Sequence, residues 1–388
     1  MQQAILFRNE AGTIILFDVP ASIQDGQDST TTLRSWRALE SPYPSTEPKG
    51  TKRETAMANI SPNDHSYHES IQQHISRALN EIQEHLHAKD PGTSWCHPRH
   101  ALITDTVVPI GIGGSSSTTP VVLSTTELRT SFPSLRDLEG SVVCNIESSM
   151  KIINITTVGA FFIPPRSTFI LASLEQGLPA LLSSQANFSL QTRRLDLILV
   201  DPPWSNRSVR HSGAYQTQEN QGVDPFEQAL HIMDMFGAPQ GLAAIWITNK
   251  TSIRTQVLER LQFLGFFLHE EWMWIKTTSH GEPVTQLDGI WRRPYEILLL
   301  FRKNVHPVNA KRRVIAAVPD VHSRKPCLKE LLEELLPPDY SALELFARSL
   351  TAGWWSWGDE VLKFQHESYW DDCERSQDQA HEVDDVQT

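Results

Sequence analysis

Apolar residues along this chain follow two rhythms. Near the N-terminus, residues 3–7 and 13–18 flank Asn9-Glu10-Ala11-Gly12, the pattern of two strands joined by a turn. Further on, Ile71, Ile75, Leu79, Ile82 and Leu86 recur at helical spacing. Ser66 and Glu69 have the spacing of a capping box, and Asp90-Pro91-Gly92 is a stop, so a packed helix is predicted over 69–88. Between these segments Pro42, Pro44, Pro48 and Pro62 stand among Ser, Thr and Lys, which predicts a linker over 40–62. From about residue 140, short apolar runs alternate with amphipathic ones. Strands are predicted at 168–171, 195–200, 242–248, 268–276, 295–302 and 343–346, and helices at 224–236, 253–264 and 328–336. Asp224-Pro225 supplies the N-cap and first-turn proline of the first of these helices. The run Leu197-Ile198-Leu199-Val200 has no polar alternate, as expected of a strand covered on both faces.

Strand–helix alternation on this scale predicts an α/β fold with a mostly parallel sheet. Three segments are expected: an N-terminal α+β accessory region over 1–150, a catalytic domain over 151–370 and an acidic disordered tail over 371–388. The chain has 388 residues and is 39 % apolar, enough to bury a sizeable core and to exclude wholesale disorder. Its net charge is 34 − 46 = −12, of which the tail contributes −6 through seven acids and Arg375. The remainder is only mildly acidic, so the placement of the bases decides whether nucleic acid is a plausible partner. Four cysteines at 96, 144, 327 and 373 form no CxxC pair, which excludes a disulfide scaffold and fits a reducing compartment. The apolar run at 14–17 is cut by Asp18, too short for a signal-peptide core. No stretch approaches a membrane span, so a soluble intracellular protein without a membrane partner is expected.

The informative segment is Leu195-Asp196-Leu197-Ile198-Leu199-Val200-Asp201-Pro202-Pro203-Trp204. A buried strand ends, an acid follows at once, two prolines stiffen the backbone, and an indole follows. In open α/β sheets ligands bind beyond the carboxyl ends of the strands, where Asp201 would sit. Such a tetrapeptide suits an exocyclic aromatic amine, whose lone pair is delocalised into the ring. Asp201 and the Pro202 carbonyl would accept its two N–H groups, and Trp204 would offer a stacking face worth roughly 1–3 kcal/mol per base. Positioning and preorganised acceptors would do most of the work. The bland alternative is a strand stopped by prolines with a core tryptophan.

Four blocks carry a resemblance to a known family: LDLILVDPPWSNRSVRHSGAY (195–215), RRPYEILLLFRK (292–303), RKPCLKELLEEL (324–335) and LELFARSLTAGWWSWGDEVLKFQ (343–365). Over roughly 160–366 the chain resembles the N6-adenine methyltransferases named for the 70-kDa subunit of the mRNA adenosine methyltransferase, nearest to the methyltransferase-like protein 4 branch. The resemblance implies a Rossmann-like methyltransferase core in permuted motif order, with the catalytic strand before the strand that serves S-adenosylmethionine. It implies that Asp201, Pro202, Pro203 and Trp204 are catalytic. It places Lys325 on the cofactor carboxylate, Phe346 and Arg348 by the ribose, and Asp359 and Glu360 where polar groups hold ribose and adenine. Ser173 falls at a further cofactor contact and Glu296 near the target adenine; the charge of Arg207, Arg210 and Arg293, apart from the resemblance, makes them candidate substrate contacts. Two positions depart from the family pattern: Asp359 stands where relatives carry Asn, and Ala172-Ser173 replaces an acid.

The remaining signals are weaker. Basic residues cluster in the catalytic half, from Arg207, Arg210 and His211 to Arg292, Arg293, Arg302, Lys303, Lys311, Arg312, Arg313, Arg324 and Lys325. On one rim they would contact phosphates, and Lys311-Arg312-Arg313 also reads as a weak nuclear signal. Gly111-Ile112-Gly113-Gly114 lacks a following helix and is read as a loop. His85, His87, Cys96, His97 and His100 match no closed metal site, and no metal is expected. Trp354, Trp355 and Trp357 are expected in the core or a lid. The function expected is N6-adenine methylation of nucleic acid in the nucleus, or alternatively the cytoplasm. RNA is favoured, in particular a 2′-O-methyladenosine of a small nuclear RNA. DNA methylation and a non-catalytic scaffold are the alternatives. A monomer is expected, with a protein partner left open.

Overall fold

A computed structural model describes residues 2–90, 92–102, 119–187, 194–204, 224–307 and 309–371. Among them, twelve strands form one central sheet. In chain order these are β1 (Ile5–Arg8), β2 (Ile14–Phe17), β3 (Val121–Val122), β4 (Val142–Cys144), β5 (Thr168–Leu171), β6 (Leu195–Val200), β7 (Gly237–Ile247), β8 (Phe266–Lys276), β9 (Tyr295–Lys303), β10 (Lys311–Ala317), β11 (Ala342–Leu345) and β12 (Trp355–Gly358). Their spatial order is β1-β2-β10-β8-β9-β7-β6-β11-β12-β5-β4-β3. Most neighbouring pairs are parallel. The antiparallel pairs are β1–β2, β4–β5 and the two on either side of β9. Consequently β2, β5–β8 and β10–β12 all end on one edge.

Helices cover both faces, as a parallel sheet requires. Along β6, Ile198 and Val200 join one core and Leu197 and Leu199 the other, which explains its unbroken apolar run. The first core takes in α3 (Pro62–Lys89), α4 (Leu174–Asn187), α5 (Pro225–Phe236) and α6 (Thr251–Phe263). The second takes in α1 (Val19–Gly26) and α7 (Lys329–Glu333). Trp354 and Trp357 are core residues as expected, whereas Trp355 is half-buried. Each large apolar side chain so covered contributes about 1.5–3 kcal/mol.

Several expectations need correction. The N-terminal hairpin is continuous with the central sheet, because β2 pairs with β10. The helix predicted over 69–88 starts earlier, at Pro62, where the Ser61 side chain accepts the Asp64 N–H at 3.1 Å. Proline at the first helical position and a serine before it outcompete the later Ser66 cap. Its predicted stripe does face the core, with Leu79 only partly covered. The linker over 40–62 contains a helix, α2 (Thr51–Ala58), which buries none of its residues.

Much of the basic cluster is structural. Lys311-Arg312-Arg313 opens β10, where Arg313 meets the buried Glu270 at 2.7 Å and Arg312 meets Glu271 at 2.8 Å. Arg312 and Arg313 are thus engaged in ion pairs, while Lys311 is exposed. Arg324 is buried against Asp320, and the Arg302 guanidinium is bound by the Leu335 carbonyl. Gly111–Gly114 and the tail beyond Asp371 lie outside the described residues.

Candidate active site

The common carboxyl edge of β6, β7, β8, β11 and β12 gathers the chemistry. Asp201 follows the last residue of β6 and lines an open cleft. Lys325, on the connection between β10 and α7, donates to both Asp201 oxygens at 2.8 Å. Its third N–H points to Glu296 at the start of β9, 3.2 Å away. Glu296 is also bound by Lys276, the last residue of β8. On the other side the Arg348 guanidinium lies 4.0 Å from Asp201 and donates to Glu360 at 3.0 Å, which is also held by Lys363 at 2.9 Å. Lys276, Glu296, Lys325, Asp201, Arg348, Glu360 and Lys363 thus alternate in sign across the edge.

This alternation shapes the ionisation states. Burial pushes the Glu296 carboxyl up, but Lys325 and Lys276 more than offset it and hold the group well below the usual carboxylate range. Burial likewise opposes the charge on Lys325, and Asp201 and Glu296 overcome that and raise it. Glu344 behaves differently. It sits in β11, lines the same cleft, and is pushed up to about 8 by burial and by the like charge of Asp201, with Lys325 offsetting only part. A carboxyl raised in the folded state stabilises the fold least at high pH: the folded form keeps a proton that the unfolded chain has released. Stability is therefore lost as pH rises from about 4.5 towards 8. Glu344→Gln is expected to flatten that decline and to be more stable than the wild type at alkaline pH. Denaturant midpoints at acid and alkaline pH check this, and parallel curves for the two proteins would refute it.

Local backbone features bring the cofactor-side residues together. Phe346, directly after β11, has φ +59°, a left-handed conformation that costs a non-glycine residue about 1–3 kcal/mol. Gly358 ends β12, and a Cβ there would meet the Ala347 carbonyl at 2.6 Å. That close approach sets Asp359 and Glu360 beside Arg348. Ser173 caps α4, accepting the Gln176 N–H at 3.3 Å, while its carbonyl accepts the Trp357 indole N–H at 3.3 Å.

The aromatic motif is fixed from behind. Trp204 donates its indole N–H to the Trp246 carbonyl at 2.8 Å and tilts against Phe226, with ring centroids 5.1 Å apart. The Pro202 carbonyl accepts the Trp204 backbone N–H at 2.8 Å, so one of its two lone pairs is already used. Pro203 is exposed. Arg293 is half-buried, with one N–H directed at the Asn249 carbonyl at 3.5 Å. Arg207 and Arg210 lie outside the described residues. Among the described residues, no group of three or more His, Cys, Asp or Glu is arranged to hold a metal.

Sequence reasoning missed Glu344 and Lys276. Glu344 had a signal, being an acid flanked on both sides by apolar strand residues in Leu343–Leu345. Lys276 had none, because its partner is reached only across the β8–β9 register.

A carboxylate anchored beyond the central strand of a largely parallel sheet, over an open cleft with cations beside it, is the ligand-site layout of a Rossmann-like α/β fold. The MT-A70 family pattern matches residues 195–360. The chain is 33 % identical over 411 residues to the N6-methyladenosine RNA methyltransferase MTA1 of Pyricularia oryzae, covering 95 % of this chain and 97 % of that protein. It is 35 % identical over 249 residues to the N(6)-adenine-specific methyltransferase METTL4 of Homo sapiens, covering 60 % of this chain and 50 % of that one. It is 34 % identical over 223 residues to a DNA N6-methyl methyltransferase of Caenorhabditis elegans, covering 53 % of this chain and 54 % of that one. The protein belongs to the MT-A70 family, whose methyltransferases use S-adenosylmethionine.

The residues present fit that cofactor. Lys325 would serve its carboxylate and Arg348 its ribose, both lining the cleft, while Asp359 and Glu360, the expected ribose and adenine contacts, stand beside Arg348 outside the cleft lining. Lys325 would reach that carboxylate only by releasing one of its bonds to Asp201 or Glu296.

Proposed function

We infer that this protein methylates N6 of adenine in RNA. The observation carrying this reading is the Asp201 carboxylate, fixed by Lys325 at the end of β6 and lining the cleft. A carboxylate offers about four lone-pair sites, and Lys325 takes two. The others accept an amino N–H of adenine, and the free lone pair of the Pro202 carbonyl accepts the second. Held this way, the amine directs its nitrogen lone pair toward the cofactor side of the cleft. The cofactor supplies the electrophilic methyl group. The chain supplies orientation and a fixed negative field that favours the cationic amine formed on transfer.

The relative that matches nearly end to end is named an RNA methyltransferase, whereas the DNA enzyme matches about half of each chain, which supports RNA. The narrower reading is a 2′-O-methyladenosine of a small nuclear RNA, and with it a nuclear site of action. It rests on the resemblance to the methyltransferase-like protein 4 branch. The test is tritiated methyl transfer to matched single-stranded RNA, 2′-O-methylated RNA and DNA, each with one adenine. Transfer to RNA in excess of DNA is expected, and faster still to the 2′-O-methylated strand. Preferential transfer to DNA would overturn the RNA reading. Binding of S-adenosylhomocysteine without transfer to any strand would overturn the enzymatic one.

A further inference from the structure

The segment joining β8 to β9 lies on the catalytic edge, because β8 ends and β9 begins there. Its tip is held in an unusual way. The Glu47 carboxylate accepts three consecutive backbone N–H groups, from Ile290 at 2.7 Å, Trp291 at 3.1 Å and Arg292 at 3.0 Å. Successive N–H groups converging on one point form an anion nest, and here the protein fills it with its own side chain. Neighbouring contacts lace the same two segments together. Tyr43 donates its N–H to the Val284 carbonyl at 2.9 Å, and Arg53 meets Asp288 at 3.1 Å.

The result is a rigid tip that holds a large apolar surface outward. Trp291 is 61 % exposed, in contrast to the buried Trp246 and Trp274 of the adjoining strands. Arg292 beside it is exposed, as are Lys49 and Lys52, two and five residues beyond Glu47. Lys52 lies in α2, a helix that buries nothing and so gains nothing from the core. In a chain of net charge −12, this edge pairs an indole with unburied cations five residues from the Glu296–Lys325 pair. An exposed aromatic face and unburied cations carried on two segments tied together are what a single strand of nucleic acid requires: a base stacks and its phosphates pair.

We propose that Trp291 stacks on a base next to the target adenine, with Arg292, Lys49 and Lys52 meeting the flanking phosphates. The segment over 40–53 then serves the active site by holding this platform in place. This assignment rests on the nucleic-acid reading above and adds the residues that grip the strand.

The test is binding of the full chain to a fluorescent single-stranded RNA with one adenine, read by anisotropy. Trp291→Ala is expected to weaken binding roughly tenfold, the scale of one lost base stack, and Trp291→Phe to restore most of it. Replacing each base near the adenine by an abasic unit should weaken the wild type most at one position. That position should cost the Trp291→Ala variant nothing further. Lys52→Ala should lower the salt dependence of binding by about one unit of slope without changing the abasic profile. An unchanged affinity in Trp291→Ala, an abasic profile identical to the wild type, or no binding of the strand by the wild type would each overturn the assignment. Binding with the expected abasic profile but no methyl transfer would overturn the enzymatic reading and leave this one standing.

Discussion

Asp201→Asn is expected to lose two to three orders of magnitude in methyl transfer and to keep most of its affinity for S-adenosylhomocysteine. The drop is of the order seen when one preorganised polar group is removed from an active site, about 10²–10³ in turnover. The side chain keeps its volume, so the change is electrostatic. An amide has one acceptor oxygen where the carboxylate has two, and its NH2 faces the donors of Lys325. The variant thus loses the acceptor for the adenine amine together with the negative charge that favours the cationic product. Lys325 retains Glu296 as a partner, so the fold should survive. Glu344 supplies an internal control. Part of its upward shift comes from the charge on Asp201, so in this variant it should titrate lower. Single-turnover transfer and calorimetry separate the effects. Unchanged turnover would mean that Asp201 does not hold the amine.

What was readable in the chain is what neighbouring residues decide. The strand before Asp201 announces itself because Leu197–Val200 of β6 are buried on both faces and none of the four has to be polar. The α5 helix announces itself through Asp224-Pro225. Two kinds of feature were not readable. One is structure without burial: α2 has no apolar face, so periodicity had nothing to detect. The other is pairing at long range. Lys311-Arg312-Arg313 looks like a surface patch until the β8–β10 register sets Glu270 and Glu271 opposite. Lys325 looks like a helix-start cation or a cofactor ligand until a partner 124 residues away claims two of its three donors. Charge alternation across the ends of six strands exists only once the sheet has formed.

That alternation makes Lys325 the position where stability and activity should fail together. Lys325→Met keeps most of the side-chain volume against the Trp246 ring, which the ammonium overlies at 4.8 Å, and removes only the charge. Among the described residues, Asp201 then has no cation closer than Arg348 at 4.0 Å, and Glu296 keeps Lys276 alone. Removing one partner of a buried ion pair costs about 3–5 kcal/mol, and partial solvent access puts this case near the lower end. The deficit has a defined pH dependence. Glu296 is held low by its two lysines, so its contribution is present above about pH 4.5 and is lost as pH falls through its folded value. The variant should therefore trail the wild type most at neutral pH and least in acid, where the stranded carboxyls take up protons. Pairing the change with Asp201→Asn removes the stranded charge, so the double variant should recover much of the stability and none of the turnover. Denaturation at neutral and acid pH, with methyl transfer measured on the same samples, checks both parts. A single variant as stable as the wild type at neutral pH would show that the bridge contributes nothing to the fold. A double variant no more stable than the single one would assign the loss to packing against Trp246 and not to charge, since only the electrostatic account predicts that a second damaging substitution repairs the first.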